Sequence, residues 1–149
     1  EALSWPAPKV GQIIRYAYLW KNEADAGLEE GLKDRPAVIV IAQKREGDEI
    51  RVVVAPITHS APTQTDEAVE VPAATRRRVG LDNERQWIML SELNSFLWPG
   101  PDLRPMQGEG PESVIIGELP AALSTLLNAQ LQARIKARRV AITTRTGTE

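Results

Sequence analysis

The segment KDRPAVIVIAQKREGDEIRVVVAPITHS, residues Lys33–Ser60, predicts the centre of the fold. Its two runs rich in Val and Ile, Ala37–Ala42 and Ile50–Ile57, predict two strands joined by a turn at Arg45–Glu49. Each run is nearly continuous in apolar residues rather than alternating, which is typical of strands that are buried on both faces. We therefore expect an antiparallel hairpin at the centre of the protein.

This hairpin would bring Arg35, which precedes the first strand, and Thr58, which ends the second, to the same end of the sheet. A guanidinium and a hydroxyl that rigid strands hold close together suit an anionic phosphate. From the residues alone, two structural roles stay open as well. Arg35 could form an ion pair with Asp34 or another acidic residue of the preceding loop, and Thr58 could cap the strand end.

The composition excludes several kinds of site. The 149 residues are 42% hydrophobic and 26% charged, which predicts one domain, residues 1–149, with a substantial core. Because the chain has no cysteine and one histidine, it cannot form disulfides or thiolate sites, and a zinc site is not expected. We expect neither a metal nor a cofactor. No apolar run reaches the length of a membrane span and no secretory signal is present, so we expect no membrane partner and a cytoplasmic protein.

The net charge of −2 is unevenly distributed. Residues 1–75 carry 8 basic and 12 acidic side chains, whereas residues 76–149 carry 10 and 8. This balance is not that of a protein that binds nucleic acid through a wide basic surface. Any contact with nucleic acid must therefore be made by a small, local basic site.

The segment Gly11–Trp20, GQIIRYAYLW, predicts a first strand whose Ile14, Tyr16, Tyr18 and Trp20 share one face. It is followed by Lys21–Asp34, which is polar and contains two glycines and five acidic residues. This composition predicts a long loop, which is either a solvated linker or a functional lid.

Beyond the hairpin, the sequence predicts a short strand at Ala68–Pro72 and a helical turn at Ala73–Val79 that ends at Gly80. A further strand is predicted within Arg85–Trp98, which a Pro-Gly-Pro segment stops. The three consecutive arginines of the helical turn, Arg76–Arg78, either form a solvated face or an anion-facing patch.

The C-terminal third predicts a last strand at Ser113–Ile116 and a helix over Leu119–Arg139. An apolar stripe along this helix indicates a core or dimer contact, and basic residues collect at its C-terminal end. The tail, Val140–Glu149, is polar and is expected to fray. About five antiparallel strands followed by a helix predict a small α+β barrel over about residues 8–117.

The order of five segments, GQIIRYAY, KDRPAVIVI, VVVAPITHS, AVEVP and VGLDNERQWIMLSEL, resembles the PemK/MazF toxin family of type II toxin–antitoxin systems. The resemblance covers roughly Pro8–Leu97 and rests mainly on the Arg-Pro and Ile-Thr pairs at this spacing. It implies an antiparallel SH3-like β-barrel, a homodimer and an endoribonuclease that cleaves single-stranded RNA without a metal. It also implies an acidic antitoxin that fills the RNA groove.

The resemblance identifies Arg35 and Thr58 as the catalytic positions. In metal-independent RNA cleavage the adjacent 2′-hydroxyl attacks phosphorus, which yields a 2′,3′-cyclic phosphate and a 5′-hydroxyl. Arg35 would stabilise the charge on the phosphoryl oxygens and Thr58 would donate a hydrogen bond to the same phosphate. The residues do not identify the general base.

A wider set of polar and aromatic residues is expected to bind the RNA. His59 is the only side chain whose ordinary chemistry suits acid–base work near neutrality, but neighbours on a strand face opposite sides, so its contact with substrate stays open. Ser91 departs from the acidic residue that the family usually shows there. The expected substrate-binding residues are Lys33, His59, Ser60, Trp20, Ser91, Glu92, Arg76 and Arg77, and Trp87 and Trp98 are further candidates for base stacking.

Two other functions remain open at this stage. The first is a non-nucleolytic toxin that inhibits a protein target on the same barrel, as the CcdB relatives do. The second is a degenerate family member that acts only as a binding or regulatory module. Neither would need the chemistry of Arg35 and Thr58.

Overall fold

The computed structural model describes residues 5–21, 34–44, 47 and 49–145. They form an α+β fold with an eight-stranded, largely antiparallel sheet and two α-helices. In chain order the elements are β1 (Gln12–Tyr16), β2 (Arg35–Lys44), β3 (Ile50–Thr58), β4 (Ala68–Glu70), α1 (Ala73–Val79), β5 (Trp87–Met89), β6 (Glu92–Trp98), β7 (Ile115–Glu118), α2 (Ala121–Lys136) and β8 (Ala141–Thr144).

The predicted central hairpin is confirmed. β2 and β3 pair antiparallel from Ala37 opposite Pro56 to Lys44 opposite Ile50. A bulge between Ile39 and Ile41 shifts the register and leaves one extra residue on β2. Residues 45, 46 and 48 of the predicted turn lie outside the described residues, as do residues 22–33 of the long loop.

Both faces of the hairpin are buried, as its continuous apolar runs predicted. Alternate residues of β3 enter two different apolar clusters, because successive side chains of a strand point to opposite faces. Val53 belongs to the cluster that Leu127 and Leu131 of α2 cover. Val52 and Val54 belong to a second cluster that is rich in aromatic side chains. In this cluster the Tyr16 and Phe96 rings stack with their centroids 5.0 Å apart.

β3 organises the sheet because it pairs with three other strands. Its first half pairs with β6, its last two residues, Ile57 and Thr58, pair with β5, and its other edge pairs with β2. The strand order is β4-β5-β3-β2-β1-β7, and β6 connects β3 to β8. Within the described residues these pairings leave β4, β7 and β8 as edges, so the sheet is not a closed barrel.

The prediction of one strand within Arg85–Trp98 was wrong, because β5 and β6 are separate strands. The chain leaves the β4–β5 ladder at Leu90, whose amide donates to the carbonyl of Glu67, and then joins the opposite half of β3. Ile88 lies opposite Ile57 and Asn94 lies opposite Val54, so this segment advances six residues while β3 advances three, and one regular strand cannot keep both registers. The predicted stop at Trp98 is confirmed.

The expectation of a frayed tail was also wrong for Val140–Arg145. β8 pairs parallel with β6, from Ala141 opposite Glu92 to Thr144 opposite Ser95, and Arg145 is buried. The strand predicted at Ser113–Ile116 begins at Ile115 instead and follows a short 3₁₀-helix, and β8 comes after it. The C-terminal helix is confirmed, although it is shorter than predicted at both ends and leaves Leu126 of its apolar stripe 53% exposed.

α1 has the predicted bounds and ends at Gly80, which adopts a left-handed conformation with φ 81°. This conformation is one that glycine adopts without steric cost, and it turns the chain sharply out of the helix. The amide of Gly80 donates to the carbonyl of Arg76, which closes the last turn. The residues that follow, Leu81 and Asp82, are thereby directed towards the start of β2 and the end of β3.

Candidate functional site

An open cleft of about 700 Å³ lies where β2 begins and β3 ends. The turn that follows α1 forms one wall, and the loop before β7 forms another. The polar and charged residues that line the cleft are Arg15, Asp34, Arg35, His59, Asp82, Gln86, Arg104 and Gln107.

Arg35, which the resemblance predicts to be catalytic, lines this cleft. It is the first residue of β2 and lies opposite Tyr16 of β1. Its guanidinium carbon lies 5.4 Å from the ring centroid of Trp20, which is a cation–π distance. Within the described chain, Arg35 forms no ion pair. The alternative of an ion pair with Asp34 does not occur, because Asp34 contacts Arg104 at 3.5 Å.

A second arginine, Arg15, reaches the same cleft from β1, where it lies opposite Pro36. Its Nε atom is buried and has no hydrogen-bond partner within the described residues. A buried polar atom without a partner is unfavourable, and a guanidinium is a strong donor to anions. Among the described residues that line the cleft, Arg15, Arg35 and Arg104 outnumber the two carboxylates, Asp34 and Asp82. The cleft is therefore locally positive although the whole chain is acidic.

Thr58 lies at the same end of the hairpin as Arg35, but its side chain does not line the cleft. Thr58 is 6% exposed, and its Oγ1 accepts a hydrogen bond from the amide of Ser60 at 3.1 Å. This contact is the strand-end cap that was the structural alternative for Thr58. The hairpin thus brings Arg35 and Thr58 to the same end of the sheet, but of the two only Arg35 lines the open cleft.

His59 does face the cleft, because the strand ends at Thr58. Its Nε2 lies 2.8 Å from Oδ2 of Asp82, and both side chains are about half exposed. The other carboxylate oxygen of Asp82 accepts hydrogen bonds from the amide of Glu84 at 2.9 Å and from the Nε2 of Gln86 at 3.0 Å. The Glu84 amide, followed by the hydrogen bond to His59, lowers the pKa of Asp82 below its ordinary value.

Gln86 holds the Asp82 carboxylate in place from the protein interior. It is 3% exposed and also contacts the carbonyl oxygens of Asp82 and Glu84. Arg76 of α1 fastens the same turn through donation to the carbonyls of Val71 and Asn83. Arg76 therefore supports the Asp82 turn instead of lining the cleft.

The remaining predicted substrate-binding residues are not gathered at the cleft. Trp20 is half-buried, contacts Arg35, and meets Tyr18 edge-on. Ser60 and Arg77 are exposed outside the cleft lining, and Lys33 lies outside the described residues. Ser91 and Glu92 also lie outside the lining. The carboxylate of Glu92 accepts a hydrogen bond from the amide of Lys21 at 2.7 Å.

Six of the eight polar and charged lining residues were not among the predicted site residues: Arg15, Asp34, Asp82, Gln86, Arg104 and Gln107. Arg15 carried a usable signal, because it is the one charged residue within an otherwise apolar and aromatic strand. Asp82 lies two residues after Gly80, which ends α1. Such a glycine predicts a turn, but it does not predict where the residues after the turn point. Arg104 and Gln86 carried no local signal that distinguishes them from other polar loop residues.

Within the ranges that the structure describes, no group of three His, Cys, Asp or Glu side chains lies close enough to hold a metal ion. Neither of the two α-helices in the described part of the chain is long and apolar enough to cross a membrane.

No protein-family model and no curated protein matches this chain. The resemblance to the PemK/MazF toxins therefore rests on the five sequence segments given above.

Proposed function

We propose that the protein is a metal-independent endoribonuclease of the PemK/MazF toxin type, which cleaves single-stranded RNA at short sequences in this cleft. The observation that carries the proposal is the pair of guanidinium groups, Arg15 and Arg35, that line one cleft beside His59 without a carboxylate partner in the described chain. Cations in such a position favour an anionic ligand, and a phosphodiester is an anion that arginine binds with good geometry.

The chemistry assigned to Arg35 is electrostatic. Attack by the 2′-hydroxyl places extra negative charge on the non-bridging phosphoryl oxygens, and a preorganised donor stabilises this charge in the transition state. Trp20 restrains the Arg35 guanidinium from one side, which limits its rotation before RNA binds. The same indole offers a surface on which a neighbouring base could stack.

A local cationic cleft on an acidic chain also suits a site-directed nuclease more than a general RNA-binding protein. Among the residues that the structure describes, three arginines contribute positive charge to the cleft. Few phosphate contacts give a shallow dependence of binding on salt. The proposal further includes an SH3-like barrel arrangement of the strands, a homodimer and an acidic antitoxin that competes for the cleft.

The test is incubation of the purified protein with long single-stranded RNA in EDTA. Wild type is expected to give discrete fragments with 5′-hydroxyl ends. Arg35→Ala is expected to lose about 10²–10³-fold in rate, as for removal of one transition-state donor. Lys44→Ala is the matched control, because it removes one positive charge from the other end of β2. Intact RNA at high concentrations of folded, antitoxin-free wild type would contradict the proposal.

A second candidate is a non-nucleolytic toxin or binding module on the same fold. The burial of Thr58 and its absence from the cleft lining favour this alternative, because one of the two expected phosphate ligands is not available in the cleft. If wild type leaves RNA intact but still arrests growth, with Arg35→Ala equally toxic, this candidate replaces the first.

A further inference from the structure

The hydrogen-bonded series Gln86–Asp82–His59 is the feature of the cleft that the phosphate-binding role leaves unexplained. Each member is fixed by the next: Gln86 donates to Oδ1 of Asp82 at 3.0 Å, and Oδ2 of Asp82 lies 2.8 Å from Nε2 of His59. The inner end is buried, since Gln86 is 3% exposed, whereas the imidazole is about half exposed in the cleft. The series thus runs from a rigid interior anchor to a group that a substrate can reach.

The geometry sets the tautomer of His59. The hydrogen bonds that lower the pKa of Asp82 keep it ionised near neutrality, and an ionised carboxylate can only accept hydrogen bonds. Nε2 must therefore carry the proton that it donates to Asp82. In the neutral imidazole this leaves the lone pair on Nδ1, which has no hydrogen-bond partner in the described part of the chain.

We propose that His59 is the general base of the RNA cleavage and that Asp82 and Gln86 are its positioning residues. This inference rests on the proposed function and adds the group that removes the proton. Nδ1 of His59 takes the proton of the 2′-hydroxyl as the bond from the 2′-oxygen to phosphorus forms and the bond from phosphorus to the 5′-oxygen breaks. Water supplies the proton to the departing 5′-oxygen, and the imidazolium returns its proton to solvent.

The other groups of the cleft are less suited to this role. The carboxylate of Asp34 contacts Arg104, and the two oxygens of Asp82 already accept hydrogen bonds. Arginine remains protonated at neutral pH and cannot accept a proton. The Asp82 carboxylate, which lies 2.8 Å from Nε2 of His59, stabilises the imidazolium that forms during the reaction.

The first test compares His59→Gln with Asp82→Asn, with Glu84→Gln as the matched control. Glu84 uses its backbone amide to hold Asp82, so removal of its side-chain charge leaves the series intact. His59→Gln is expected to lower kcat by about 10²–10⁴-fold, which is the usual contribution of a general base. Asp82→Asn is expected to lower kcat less than His59→Gln does. Binding of a 2′-O-methyl RNA, which cannot be cleaved, is expected to stay within about 3-fold, because the arginines remain.

This design separates the two proposals. Loss of cleavage in Arg35→Ala together with full activity in His59→Gln would overturn the general-base role while the nuclease stands. No cleavage by wild type would overturn both. A His59→Gln variant that loses RNA binding as much as cleavage would show that His59 binds the substrate and is not its base.

Three further readouts report the chemistry itself. The pH profile of kcat/KM is expected to change in His59→Gln and to stay as in wild type in Glu84→Gln. Imidazole added to His59→Ala is expected to restore part of the rate, which a purely structural role would not allow. An RNA with sulfur as the bridging 5′ atom needs little protonation of its leaving group. If that substrate restores full rate to His59→Gln, His59 is the general acid and the assignment as base is wrong.

Discussion

Arg145, the last described residue, is a buried charge that fastens the end of β8 to the interior. Its side chain is 2% exposed, and its guanidinium contacts the carboxylate of Asp102 at 2.6 Å. The same guanidinium donates to the carbonyl of Ala17 at 2.8 Å and to the side chain of Asn94 at 3.1 Å. Because Asn94 also exchanges hydrogen bonds with the backbone of Leu19, these contacts fix the segment that leads to Trp20 and the cleft.

The buried ion pair between Arg145 and Asp102 gives a prediction for stability. Arg145→Ala leaves the Asp102 carboxylate buried without its cation, which destabilises a protein by about 3–5 kcal/mol. Urea unfolding followed by circular dichroism is expected to show this loss. Arg85→Ala, which breaks the exposed pair with Glu70, is the control and should leave the midpoint nearly unchanged. The double variant Arg145→Met with Asp102→Leu is expected to recover most of the stability. If Arg145→Ala behaves like Arg85→Ala, the pair is not a structural anchor.

The sequence could identify single residues only where a local pattern marked them. Arg35 was found because a Pro and an apolar run follow it, and it does face the cleft. Arg145 was missed because it lies in a Thr-rich polar segment, and a partner at Asp102 comes from a distant loop. His59 was left open because the end of β3 decides its direction, and a strand end is uncertain by one or two residues in any sequence reading.

At the scale of elements, the hairpin and both helices were predictable, whereas the connections between distant strands were not. The apolar runs of β2 and β3 and the periodicity of α2 are local signals. The division of the predicted strand within Arg85–Trp98 depends on which half of β3 each piece pairs with. β8 forms because β6 offers an unpaired edge, which is a property of the assembled sheet and not of the segment Ala141–Thr144.

The end of α1 gives a prediction for a single turn. Gly80 has φ 81°, and a Cβ added there meets no atom within 4 Å. The effect of a side chain is therefore backbone strain without a clash. Gly80→Ala is expected to lower the free energy of unfolding by about 1 kcal/mol. Gly80→Asn should lower it less, because Asn tolerates the left-handed conformation. Equal stability of Gly80→Ala and wild type in urea would show that the turn relaxes to another conformation.

At the scale of the whole molecule, the cleft forms where separate parts of the chain converge. β1, the β2–β3 hairpin, the turn after α1 and the loop before β7 each contribute a charged or polar side chain. The hairpin brings Arg35 and His59 to this end through its register, so that part of the site was predictable. The positions of Arg104 and Asp82 depend on the packing of the other segments, which no spacing in the sequence encodes.

The packing of the aromatic cluster sets the behaviour of the molecule at high pH. Burial raises the pKa of both Tyr16 and Tyr18 well above the ordinary value of about 10. The native state therefore keeps protons that the unfolded chain releases above about pH 10, so the free energy of unfolding must fall as the pH rises past that value. Below pH 10, these tyrosines add no pH dependence to the free energy of unfolding.

The midpoint of urea unfolding, measured from pH 7 to 11, is expected to decline at the alkaline end. Tyr18→Phe removes one of the two groups and the hydrogen bond to the Glu92 carbonyl, so it should start lower and decline less. Lysine titration is common to both proteins and cancels in the comparison. Parallel alkaline declines in wild type and variant would mean that the Tyr18 hydroxyl reaches solvent without unfolding, and that the aromatic cluster opens locally instead of as part of the global transition.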